Sequence, residues 1–486
     1  MHPHHEFQNH LTRRTFIGQS ARGVGGLALG SMLFPELLAA GTKTREGGLA
    51  GLPHFAPKAK RVLCLFQSGG MSHVDLFDDK PALHEFAGKD LPPSIKGTQR
   101  LTGMTSGQKG YPVRPPLMDG KACGKHGTWI SNLIPHIQSI ADDICIIKTL
   151  NTEAINHDPA ITFLNTGNQQ PGYASMGAWA SYGLGTENAN LPAFIAMVSQ
   201  GTGKNPGQPV FSRLWGSGFL PGAFQGVQCR ASGDPVLYVQ NPPGVQPGDR
   251  RITLDALAQL NAAGHRELGD PETLTRTAQY EMAFRMQASV PDLTDLSKET
   301  PATLDLYGPE VKESGTFAHS ALLARRMVER GVRVVQILHR GWDQHGNLPK
   351  DIARQCQQTD QACAGLLLDL QSRGMLEDTL VVWGGEFGRT VYSQGTLTKT
   401  NYGRDHHPRC FTMWMAGGGV KPGISYGETD DFSYNVTKDP VHLSELNATI
   451  LHLMGVDHRR LTYKFQGLDQ RLTGVEERHV IKGILA

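Results

Sequence analysis

The sequence predicts an α/β fold: a mostly parallel sheet sandwiched by helices, with loop-rich insertions. Three observations carry that prediction. Short, nearly continuous apolar runs, "RVLCLF" from Arg61, "VRVVQIL" from Val332 and "TLVVWGG" from Thr379, read as strands buried on both faces. Amphipathic stretches such as "FAHSALLARRMVERG" and residues 350–373 fall between them with helical spacing. Polar, Gly-rich clusters then follow the strands directly, where ligands of open α/β sheets bind.

Taken in chain order, the first strand from Lys60 ends in the turn "QSGGMSHVDLFDDKP", and residues 86–128 read as loop. "WISNLIPHIQSIADD" has helical spacing and leads into the strand "ICIIKTL". "NTEAINHDPAITFLNTG" is a polar loop entering a short helix, and "LPAFIAMVS" is a further strand. Residues 200–310 read as an elaboration on the sheet, with helices at about 252–266 and 271–288. "CFTMWMAGGG" is a late strand and "HLSELNATILHLMGV" a late helix. Alternation of strand and helix at this spacing is the pattern of covered parallel sheets.

Residues 1–45 hold five Lys/Arg against two Asp/Glu, and they include Arg13-Arg14 followed by Phe16 and Ile17. A Gly-rich, weakly apolar stretch from Val24 to Phe34 follows, too short and too rich in Gly to span a bilayer as a stable helix. This pattern resembles a twin-arginine export signal, with cleavage expected near Ala39-Ala40 or retention as an anchor. The division expected is therefore a signal and linker over 1–45 and one α/β domain over 46–486. A net charge of +2 over 486 residues gives no polyanion footprint, so nucleic acid is excluded as a partner. Seven cysteines without C-x-x-C spacing exclude a zinc–thiolate site, and Cys356 and Cys363 lie about 10.5 Å apart along one helix, too far for a disulfide.

Hard nitrogen and oxygen donors gather in three late segments. In "GWDQHGN", Asp343 and His345 are two apart, which in extended chain points both the same way. In "WGGEFGRT", Glu386 follows a strand, and Arg389 is suited to an anionic oxygen. "GRDHHP", read as irregular, offers Asp405 and His406 as ligands and Arg404 as another anion contact. Such a donor set without thiols suits Zn²⁺ or Mn²⁺, and Ca²⁺ where carboxylates dominate. Upstream, Asp75 lies on the first strand's turn, and Asn156 and His157 open a helix whose N-terminus is an anion seat.

"GGMSHVDLFDDKP", "GWDQHGN", "GGEFGRT", "GRDHHP" and "GGGVKPGISYGETDD" together resemble the signatures of a bacterial family known as domain of unknown function 1501, from about Lys60 to the end of the chain. That family resembles a branch of the alkaline phosphatase superfamily, which includes sulfatases and metal-dependent phosphoesterases. The resemblance implies a sulfatase-like fold in which Asp343, His345 and His406 bind metal and Glu386 stands where an Asp-His pair is usual. The chain departs from the superfamily at Gln67-Ser68-Gly69-Gly70, where an Asp is expected, leaving Asp75 as the substitute. It departs again at the nucleophile, where Glu153 and Thr152 occupy the best-placed positions and no C-x-P-x-R motif occurs.

The expected function is an exported, metal-dependent hydrolase of phosphate or sulfate esters, acting on a small-molecule or glycan ester in the periplasm or outside the cell. Translocation machinery of the twin-arginine type is its one expected protein partner. Thr152 or water attacks, Arg389 and Arg404 hold the ester oxygens, and Asn156 or His157 assists the leaving group. The competing expectation is a catalytically silent exported relative that binds a glycan or anionic polymer.

Overall fold

Strand β1, Arg61–Ser68, runs through the centre of a nine-stranded sheet. The other strands of that sheet are β2 (Cys145–Asn151), β3 (Phe194–Ser199), β4 (Val227–Arg230), β5 (Val334–Arg340) and β6 (Thr379–Gly384). Two more strands, β7 (Gly388–Gln394) and β8 (Gly403–His407), pair with each other outside the main sheet, and β7 also bridges Val113 through Tyr392. The main sheet is completed by β9 (Phe411–Ala416), β10 (Ile424–Tyr426) and β11 (Val441–His442). The order is β10-β2-β9-β6-β1-β5-β3-β4, with β11 also on β2, and only β9 runs antiparallel to its neighbours. The computed structural model describes residues 47–99, 101–200, 208–230, 241, 244–270, 272–395, 398 and 400–486. The export signal expected over 1–45 lies outside them.

The sheet is covered on both faces, as the continuous apolar runs require. Nine helices carry labels here: α1 (Pro135–Ser139), α2 (His157–Thr166), α3 (Met176–Leu184), α4 (Pro247–Leu268), α5 (Glu272–Thr294), α6 (Pro301–Tyr307), α7 (Phe317–Glu329), α8 (Leu348–Ser372) and α9 (Leu443–Leu453). Alternation along β1 divides its side chains. Leu63 and Leu65 join one core with Leu322 of α7 and Leu366 of α8. Val62 and Phe66 join the other with Ile161 of α2, Trp179 of α3 and Ile450 of α9. Among the described residues, no helix is long and apolar enough to cross a membrane.

Two local expectations differ from the structure. The stretch "WISNLIPHIQSIADD" is not one helix: Thr128–Ser131 pairs as a strand with Gly120–Cys123, and α1 begins only at Pro135. Proline starts helices well and continues them badly, while Ile130, Ile134 and Ile137 reach the same core from both conformations. "GRDHHP" is not irregular either: Gly403–His407 is a buried strand, antiparallel to β7, with a register shift between Arg404 and His406. Within residues 200–310, read as an elaboration on the sheet, β4 extends the main sheet at its edge beside β3. The two helices there, α4 and α5, pack against each other through Asn261 Nδ2 donating to Thr277 Oγ1 at 2.9 Å.

His339 on β5 is fully buried on the α8 side of the sheet, with its Nε2 2.9 Å from Gln355 Oε1 and its Nδ1 2.8 Å from Ser199 Oγ. Burial holds this imidazole down to about 4 from its ordinary 6.5, and the Gln355 hydrogen bond opposes the shift only in part. The unfolded chain therefore takes up this proton first as pH falls. Urea unfolding should show stability lost between pH 6.5 and about 4, His339 accounting for roughly 3 kcal/mol of it. His339→Gln should flatten that part of the slope.

Candidate metal centre

The site is assembled where β1, β5 and β6 end. Gly69, just past β1, has φ +122°, and a Cβ there would stand 2.4 Å from Asp343 N. Only glycine lets the turn after β1 press against the loop after β5. Trp342 pins that loop, its buried Nε1 donating to Gln67 Oε1 at 2.9 Å. Asp343 and His345 follow. Glu386 lies in the short link from β6 to β7 and accepts the Gly69 N–H at 3.0 Å. His157 opens α2, and His406 comes from β8.

Side-chain atoms of His157, Asp343, His345 and His406 converge, all within 4.8 Å of one another. Asp343 Oδ1 is 3.0 Å from His157 Nε2, 2.9 Å from His345 Nε2 and 3.6 Å from His406 Nε2. The two Nε2 atoms of His345 and His406 face each other at 3.0 Å.

The far side of each ring fixes its tautomer. His157 Nδ1 meets Glu386 Oε1 at 2.7 Å, His345 Nδ1 meets Gln394 Oε1 at 2.5 Å, and His406 Nδ1 meets the Ile155 carbonyl at 2.7 Å. All three partners are acceptors, so each Nδ1 carries the hydrogen and each Nε2 presents a lone pair inward. Three lone pairs and a carboxylate oxygen directed at one another repel unless a cation or shared protons lie among them. Outer-sphere carboxylate, amide and carbonyl groups of this kind are what orient histidines on metals. The donor set therefore fits a cation.

The electrostatics separate the groups, and at His157 they favour a proton shared with Asp343 wherever no cation takes its place. Burial raises the Asp343 carboxyl, but Arg389 and the three imidazoles outweigh it and hold the group well below the usual carboxylate range. Burial opposes charge on His157 as well, yet Asp343 and Glu386 hold that imidazole above its ordinary value. His406 goes the other way, to about 4, through burial and the positive field of Arg389 and its neighbours, with Asp343 opposing.

The other expected site residues lie elsewhere or act otherwise. Glu386 is outside the convergent group, its carboxylate spent on His157 Nδ1 and Gly69 N–H. Asp75 is not a ligand: it pairs with Arg404 Nε at 2.8 Å and accepts Leu117 N–H at 2.8 Å, both charges being fully buried. Asp405 points to the opposite side of β8 from His406 and accepts the hydroxyls of Thr102 and Thr105. Arg404 is consumed by Asp75 and by the carbonyls of Thr390 and Arg114, which leaves it no anion to hold. Arg389 is likewise spent, on Asp343 at 2.7 Å and on the carbonyls of Gly69, Gly70 and Arg404. Thr152 lines a separate polar pocket with Glu153, Arg409 and Asn435, and Asn156 is the N-cap of α2 without a side-chain cap bond. Gln394 and Gln67 were not foreseen, since a glutamine at a strand end carries no signal in sequence.

A covered, mostly parallel sheet with a His₃Asp cluster at its strand ends is the class these features define. The chain belongs to the family described as "Protein of unknown function (DUF1501)", whose model matches residues 59–485. No curated protein matches it. Among solved structures it is similar to alkaline phosphatase from the Antarctic bacterium TAB5 (11% identity, 82% of this chain and 98% of that one, TM-score 0.33). It is also similar to a sulfatase from Pseudoalteromonas sp. (12% identity, 82% and 68%, TM-score 0.33). A third is a protein in the alkaline phosphatase superfamily from Vibrio parahaemolyticus (10% identity, 85% and 73%, TM-score 0.34).

Because Asp75 neutralises a buried guanidinium, Asp75→Asn should lower unfolding free energy by about 3–5 kcal/mol in urea titrations. Zinc uptake by the folded fraction should stay within about twofold of the parent, as no ligand is removed.

Proposed function

We propose that this chain is a metal-dependent hydrolase of phosphate or sulfate esters, exported through the twin-arginine signal read at Arg13-Arg14. The observation that carries the reading is the convergence of three Nε2 lone pairs on Asp343 Oδ1, each ring locked by an acceptor behind it. Three imidazoles with one carboxylate favour Zn²⁺, with Mn²⁺ next, over Ca²⁺, which takes oxygen ligands. A divalent cation held there supplies Lewis acidity, stabilising charge that develops on the ester oxygens.

The chain's own residues perform the rest. Asp343, His157, His345 and His406 bind; Glu386 keeps the His157 tautomer; Arg389 fixes Asp343 and offsets part of the local negative charge. Side-chain exposures of 23% for His345 and 14% for His157, against 4% for His406, put the approach to the cluster on the His345 and His157 side. Among the described residues no serine or threonine hydroxyl hydrogen-bonds to any of the four. In this reading the attacking group is water, and Thr152 has no part.

Protein purified without chelator should carry about one divalent ion per chain and hydrolyse 4-nitrophenyl phosphate or sulfate. Asp343→Asn and His406→Ala should abolish both metal content and hydrolysis. A metal-free parent, or a His406→Ala variant with unchanged metal and turnover, would contradict the reading. Glu386→Gln should retain the metal with affinity lowered about 10- to 100-fold, measured by competition with a chromogenic chelator.

A further inference from the structure

With Arg389 and Arg404 spent inside the protein, the ester anion needs another partner. The end of β1 and the end of β5 supply it. Ser68 and Arg340 are register partners on these adjacent parallel strands, so their side chains leave the sheet on the same face. That face is fixed by its neighbours along the strands. Phe66 and Leu338 pack in the core under α2, α3 and α9, and Gln336 donates to Asn165 of α2. Residues of the opposite parity, Gln67 and His339, face Trp342 and α8 instead. Ser68 and Arg340 therefore lie on the α2 side, the side from which His157 enters the cluster.

Among the described residues, both carry buried donors without a hydrogen-bond partner. Ser68 is fully buried and its Oγ has no hydrogen-bond partner among the described residues. Among the described residues Arg340 Nε is buried without a partner as well, and the guanidinium contacts the Val210 carbonyl through Nη2 at 3.4 Å, a long hydrogen bond. An unpaired buried donor costs free energy, and a guanidinium edge more than most, unless a ligand completes it. The neighbouring acids are engaged elsewhere: Glu386 with His157, Asp158 with Arg213, and Asp343 with Arg389. The pair also adjoins the cluster through the backbone, since Trp342 N–H donates to the Ser68 carbonyl at 3.2 Å and Asp343 follows Trp342 directly.

We propose that Ser68 Oγ and Arg340 form the seat for a tetrahedral oxyanion, the phosphoryl or sulfuryl group of the substrate, beside the His157–Asp343–His345–His406 cluster. The seat rests on the hydrolase reading for its substrate class, but its geometry belongs to the chain alone. Arg340 supplies a planar edge of charged donors, the arrangement that suits such anions, and the serine hydroxyl adds a neutral donor. Both act by holding oxygens, and neither forms a bond to phosphorus or sulfur.

The test is isothermal titration of the full chain with inorganic phosphate and, separately, inorganic sulfate. The parent should bind at least one of them, and preference between the two assigns the ester class. Arg340→Met should weaken binding about 10-fold or more and Ser68→Ala by a smaller factor, with metal content unchanged. Arg409→Met, an exposed control, should bind as the parent does. Parent-like binding in both Arg340→Met and Ser68→Ala overturns the seat even in a protein that hydrolyses aryl esters, and so does a parent that binds neither anion. Binding that is lost in Arg340→Met, in a protein that hydrolyses nothing, keeps the seat and removes the hydrolase reading.

Discussion

The Asp343 carboxylate organises this protein's polar interior. One of its oxygens is approached by Arg389 at 2.7 Å and by three imidazole nitrogens, from α2, from the loop it shares with His345, and from β8. Charge of both signs is thus brought to a single point under mostly buried conditions, where Coulomb interactions are strong and unpaired groups costly. The surrounding structure can be understood as what is needed to keep those groups there. Gln394, Glu386 and the Ile155 carbonyl prevent the rings from turning, and the Gly69 and Gly70 carbonyls stop the guanidinium from leaving.

The sheet makes this assembly possible because parallel strands deliver their ends to one edge. β1 contributes little chemistry of its own to the cluster and a great deal of geometry. Its glycine turn lets the Asp343 loop approach, its Gln67 anchors Trp342, and its Gly69 amide steadies Glu386. Around this, two buried ion pairs, Asp75 with Arg404 and Asp343 with Arg389, satisfy the guanidinium charges that the β7–β8 hairpin brings inside. In this way the chain concentrates titratable residues in "GRDHHP" for several structural purposes and only one of them, His406, for the cluster.

Much of this was legible in the sequence. The buried strands announced themselves by unbroken apolar runs, and the end of β5 marked where Asp343 and His345 lie, whereas His406 reaches them from within β8, a strand of the separate antiparallel pair. Less legible was the division of labour among like residues. Asp405 and His406 are adjacent, yet alternation along a strand sends one to threonine hydroxyls and the other to the cluster, and that alternation was hidden while the segment read as irregular. Arg389 and Arg404 look like anion holders in sequence, but carbonyls from turns hundreds of residues away neutralise their donors, which no local pattern records. His157 read as a helix-start residue with a leaving-group role, and only the fold brings its Nε2 to Asp343.

Three imidazoles and one carboxylate are proposed to surround a single cation. Zinc K-edge absorption spectroscopy of the zinc-loaded protein measures that shell directly. A first shell of nitrogen and oxygen at about 2.0–2.1 Å, with the outer scattering pattern of three imidazole rings, is the result expected. A shell of oxygens alone, without ring scattering, or one containing sulfur, would contradict it.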